Sequence, residues 1–97
     1  MAQFMLLHVG FEPPTPEIMT AWKEWFAATA DRTVAAGGFM HGRMLDDEGV
    51  TPLEMDTDAM TGYSIIEAEN IDEALTVAKS NPYISGIRVY EIRQHGG

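Results

Sequence analysis

Two helix-start signals limit the architectures open to this chain. Thr15-Pro16-Glu17 sets a hydroxyl at the N-cap, proline at the first helical position and an acid in the first turn. Asn70 with Glu73 three residues later is an N-cap with its capping partner. Behind the first signal, Ile18, Met19, Trp22, Trp25, Phe26, Thr29 and Thr33 recur at helical spacing. Lys23, Glu24, Asp31 and Arg32 fall on the other side, and Gly37-Gly38 reads as the stop. Behind the second, Ile71, Ala74, Leu75 and Ala78 form a short apolar stripe. Pro82 closes it, and Asn81 before proline is pushed out of helical geometry. The remaining regular runs are strand-like: Gln3–Val9, Phe39–Leu45, Gly62–Ala68 and Gly86–Arg93. Asp46–Met60 reads as an irregular acidic segment, and Gln94–Gly97 as a frayed tail.

The order strand-helix-strand-strand-helix-strand is the split βαβ, ferredoxin-like arrangement. The fold class expected is α+β, a four-stranded antiparallel sheet with both helices on one face. A chain of 97 residues buries roughly 60–65% of its unfolded surface. That suits one domain spanning residues 1–97. The second sheet face is left uncovered, with Phe4, Leu6, Phe39 and Ile65 expected on it. The simplest cover for such a face is a second copy of the chain, so a homodimer is expected.

Charge narrows the function classes. Six Lys and Arg stand against fifteen Asp and Glu, a formal net charge of −9. That balance disfavours nucleic acid and anionic membranes as partners. At 45% apolar residues the chain is too hydrophobic to stay disordered. It has no cysteine, hence no disulfide, thiol nucleophile or thiolate metal site. Met1–Val9 lacks the basic start and long apolar run of a signal peptide, and a cytoplasmic location is expected.

The stretch Gly62–Leu75 (GYSIIEAENIDEAL), followed by Ala78-Lys79-Ser80-Asn81-Pro82-Tyr83 and by Val89–Arg93 (VYEIR), resembles the YCII-related family. That family includes a DGPF-domain branch. The opening Phe4-Met5-Leu6-Leu7 and the Ala36-Gly37-Gly38 turn fit the same pattern. The resemblance implies a dimeric α+β barrel, in which two sheets face each other across a ligand-sized cavity. The family's chemical pair is a histidine on the first helix and an aspartate before the Pro-Tyr dipeptide. Neither is present: the first helix has no histidine, and the second position is Asn81, an amide without carboxylate basicity. Leu53-Glu54-Met55-Asp56-Thr57-Asp58 stands where the DGPF tetrad is expected.

Two sets of residues could carry chemistry. His8 and His41 are the candidate catalytic residues, because a neutral imidazole can take or give a proton near pH 7. Both fall in strand-like runs, where alternation could set them on one face with Arg43, a partner for a carboxylate or oxyanion. The competing reading is a pair of partly buried histidines satisfied by backbone or by a dimer interface. The second set is Tyr63, Arg88 and Tyr90. If Ile66, Ala68, Ile87 and Val89 face the helices, these three point the other way. With Arg43 they would give an apolar pocket with a few donors, suited to a small anionic ligand. Cross-strand packing competes with that reading.

Other motifs carry less. Asp46, Asp47, Glu48, Glu54, Asp56 and Asp58 form an acidic cluster, but Asp56–Gly62 fails the EF-hand pattern. A solvated loop is the stronger reading there; a cation site or a mobile lid is the alternative. Trp22, Trp25 and Phe26, with Met19 beside them, read as core packing before they read as an aromatic ligand box. Gly62-Tyr63-Ser64-Ile65-Ile66 lacks the second glycine of a nucleophile elbow. No cofactor motif or metal-ligand spacing is present, so no cofactor is expected. The functional expectation is a YCII-like small-molecule-binding protein, with cofactor-independent lyase, isomerase or hydrolase chemistry as its catalytic form. The alternative is a non-catalytic dimeric ligand-sensing or protein-interaction module.

Overall fold

The structure, a computed structural model, describes residues 1–93. The tail expected over Gln94–Gly97 lies outside the described residues. Eight elements follow in order: β1 (Ala2–Val9), α1 (Pro16–Thr29), β2 (Thr33–Gly38), β3 (Arg43–Asp46), β4 (Gly49–Pro52), β5 (Met60–Ala68), α2 (Ile71–Lys79) and β6 (Gly86–Glu91). The main sheet is antiparallel with strand order β2-β5-β1-β6, and β3-β4 forms a separate hairpin. This is a ferredoxin-like α+β fold with two helices on one face of a four-stranded sheet. Among the described residues no helix is long and apolar enough to cross a membrane.

Both helices begin at the capping residues. Thr15 Oγ1 accepts from the Ile18 N–H at 3.2 Å, and Pro16 opens α1. Asn70 Oδ1 accepts from the Glu73 N–H at 2.9 Å. Glu73 Oε1 in turn accepts from the Glu69 N–H at 3.3 Å and from Arg32 Nη1 at 3.0 Å.

Alternation along the strands divides the sheet into two faces. Register pairs Phe4 with Ile66, Leu6 with Ser64 and His8 with Gly62. Phe4, Leu6 and Ile66 are fully buried with Trp25, Ala68, Ala74 and Ala78 in one core beneath the helices. The indole N–H of Trp25 links the helices by donating to Ser80 Oγ (3.0 Å) and the Val77 carbonyl (3.4 Å). Met5 pairs with Ile65, and Leu7 with Tyr63, on the opposite face.

Four expectations are corrected. Phe4 and Leu6 lie under the helices, not on the open face; Met5 and Leu7 take that place. An alternating strand reads equally well either way up, and only packing partners choose. Helix α1 stops at Thr29, well before Gly37-Gly38. Thr29 Oγ1 bonds back to the Trp25 carbonyl (2.9 Å) and Thr33 Oγ1 to the Thr29 carbonyl (2.8 Å), and the chain then pairs with β5. The second sheet strand is thus Thr33–Gly38, not Phe39–Leu45. His41 has φ 56 and breaks the run expected there. Arg43 to Pro52 forms the hairpin in place of an irregular segment.

Candidate functional site

The helix-facing row of the sheet changes in size along its length. At one end Phe4, Leu6 and Ile66 fill the space under the helices. At the other end the same face holds Ala36 and Gly38 of β2 and Gly62 of β5, around His8 of β1. Residues without bulk leave a cleft of about 690 Å³ between this end of the sheet and α1. Its helical wall is Ile18, Met19, Trp22, Lys23 and Phe26, and Phe11 and Ile84 also line it. The size and apolar lining suit a small organic molecule. Gly62 is needed for close approach: a Cβ there would meet the Gly37 carbonyl oxygen at 2.8 Å and stand 3.6 Å from His8 Cδ2.

His8 is the central polar group of this cleft, and only 5% exposed. Its ring lies edge-on to Trp22, with centroids 4.9 Å apart, and to Trp25 at 6.2 Å. Nε2 lies 3.5 Å from Ser64 Oγ. Nδ1 is buried without a hydrogen-bond partner. Burial pushes the imidazole down from its usual 6.5 to about 4, because the desolvated ring resists charge. His8 is therefore neutral at physiological pH, and its Nδ1 has no partner among the described residues. Lys23 and Glu12, both exposed, stand in the lining with opposite charges.

The other candidates separate into two places. Tyr63 pairs with Leu7 on the open face, in the same row as Arg88, and its ring stacks on Phe39 with centroids 5.6 Å apart. Arg88 pairs with Leu7, and Tyr90 with Met5, so both lie on the open face; Arg88 Nη1 donates to Tyr90 Oη at 3.3 Å. Ile87 and Val89 pack on the core side. His41 and Arg43 lie on neither sheet face. They border a second hollow of about 550 Å³ at the hairpin base, with Leu53, Met55 and Asp56. Arg43 Nη1 donates to the carbonyls of His41 (3.1 Å) and Gly42 (2.9 Å). His8 and Arg43 are not brought together. Asn81 is buried, and its side-chain amide has no partner. Among the described residues no three His, Asp or Glu side chains converge as a metal set.

The aromatic wall is the reading that the sequence ranked second. Trp22, Phe26 and Met19 read as core, yet only Trp25 and Thr29 of α1 are buried. The available signal was excess: five large apolar residues on one short helix exceed what the sheet beneath can cover.

A ferredoxin-like sheet with an open helix-side cleft beside one buried histidine defines the class of protein. Among solved structures it is similar to 5-chloro-2-hydroxyhydroquinone dehydrochlorinase (TftG) from Burkholderia phenoliruptrix AC1100, in complex with 2,5-dihydroxybenzoquinone. The two share 17% sequence identity with a TM-score of 0.60, over 97% of this chain and 95% of that one. At that identity the likeness shows the fold. No protein-family model matches the sequence, and no curated protein matches it.

Proposed function

We propose that this protein binds a small, ring-sized organic molecule in the cleft at His8, as a YCII-like homodimer. The observation that carries the binding reading is His8 itself. A buried imidazole that borders an apolar cleft and leaves Nδ1 unpaired carries an unmet hydrogen bond, which a ligand hydroxyl supplies once the ring turns Nδ1 toward the cleft. A ring lowered to about 4 is a weak base, so it suits acidic ring hydroxyls. Trp22 and Phe26 offer flat surfaces for a ring, and Lys23 at the rim offers charge to an anionic form. The catalytic form of this reading has neutral His8 accept the hydrogen bond of the bound hydroxyl and orient the ring for reaction. The alternative is a sensor that binds the same molecule unchanged.

Hydroxylated quinones and hydroquinones are the first compounds to test, since the similar dehydrochlorinase acts on one and is seen with another. Thermal shift against such a panel is expected to find a stabilising compound, with the effect lost in His8→Leu and kept in His41→Ala. A stabilising compound that protects His8→Leu equally refutes the role of His8. Product formation followed by NMR separates the enzyme from the sensor.

A further inference from the structure

We propose that the β3–β4 hairpin is an arm that clasps the β6 edge of a second copy of this chain, its acidic tip meeting Arg88. The proposal rests on the homodimer reading above and adds which surfaces meet.

The hairpin has no cover of its own. Every residue of both strands is exposed, Leu45 by 74% and Val50 by 63%. A lone two-stranded sheet is marginal in water. The radius of gyration is 14.6 Å, against about 12.5 Å for a compact chain of this length. The chain therefore holds out an apolar ribbon that its own core does not use. It also leaves open the sheet face that carries Met5, Leu7 and Ile65.

The strand order decides how a second copy can meet both. The arm departs after β2, and β2 and β6 are opposite edges of the sheet. When two such sheets stack face to face, a twofold axis parallel to the strands sets β2 of one copy over β6 of the other. An axis across the strands sets β2 over β2. Charge selects between them. The arm's tip carries Asp46, Asp47 and Glu48, all exposed. The second arrangement crowds both acidic arms on one side. The first carries each tip to the partner's β6, where Arg88 is exposed and pairs with no carboxylate among the described residues. Opposite charges at a rim fix register and orientation.

The test is sedimentation equilibrium on the full chain, with circular dichroism as the check on folding. The wild type is expected at twice the mass of one chain. Arg88→Glu, and separately Asp46→Lys with Asp47→Lys, are each expected to weaken dimerisation by about tenfold, and all three together to recover to within about threefold of wild type. Leu45→Asp is expected to weaken it without altering the circular dichroism spectrum. A dimer indifferent to all these changes overturns the arm and leaves the homodimer reading standing. Single reversals that weaken the dimer without recovery in the combination overturn the pairing of tip and Arg88. A wild-type monomer overturns both readings.

Discussion

Replacing His8 with leucine should remove one specific part of the protein's response to acid. The folded state holds the imidazole neutral down to about pH 4, whereas the unfolded chain takes up the proton near 6.5. Above 6.5 neither state carries it, and stability is complete. As the pH falls through that window the unfolded state gains a proton that the folded state refuses, and stability is lost. At about 1.4 kcal/mol per unit, the gap from 6.5 to about 4 amounts to about 3.5 kcal/mol when fully expressed. At pH 5 roughly 2 kcal/mol of it has been lost. Carboxylates titrate alike in both proteins and cancel in the difference. The assay is urea unfolding followed by tryptophan fluorescence, since Trp22 and Trp25 both lie against His8. The stability of wild type minus that of His8→Leu should fall by about 2 kcal/mol between pH 7.5 and pH 5. A change below about 0.5 kcal/mol refutes the reasoning, because the imidazole must then charge as readily folded as unfolded.

Two further changes test the framework around the cleft. Trp25→Phe keeps one aromatic ring but loses the donor to Ser80 Oγ and the Val77 carbonyl together with part of a buried side chain, and should cost about 2–3 kcal/mol in urea unfolding; a cost near zero means the indole N–H does not join the helices. Gly10 has φ 108, and a Cβ there would meet the Ser85 backbone nitrogen at 2.8 Å, whereas Gly49 has φ 125 with nothing within 4 Å. Gly10→Ala should therefore lower the thermal midpoint more than Gly49→Ala, which carries backbone strain of about 1 kcal/mol alone; equal effects would show that the clash is relieved.

Much of the fold is legible because its signals are local. The caps at Thr15 and Asn70 act within three residues, and both hold in the structure. Strands β1 and β5 keep a clean alternation of buried and half-buried positions along most of their length. Strand β2 is not legible. Thr33–Gly38 is mostly alanine and glycine, which have little strand preference of their own, and two glycines in a row imitate a helix stop. What makes it a strand is remote: pairing with β5, and Gly37 leaving room for the Tyr63 ring, whose Cε1 would lie 2.8 Å from a Cβ there. The site is divided in the same way. His8 stands out as a polar residue in an apolar strand. The cleft around it depends on small residues of β2 and β5 meeting beneath α1, which no single segment displays. Arg43 drops away from His8 because His41 turns the chain at φ 56.

Strand β1 is paired on both sides, to β5 and to β6, and its two sets of alternate residues answer to different masters. Phe4, Leu6 and His8 serve the interior and the cleft, while Met5 and Leu7 face outward. Mutational drift in one set is thus nearly blind to the other. If the proposed homodimer forms through the open face, a scan of every position from Phe4 to His8 shows two period-two profiles, one for thermal stability and one for self-association, running out of phase. Across those five residues a lineage could retune the outer face without disturbing the pocket, or the pocket without disturbing the outer face.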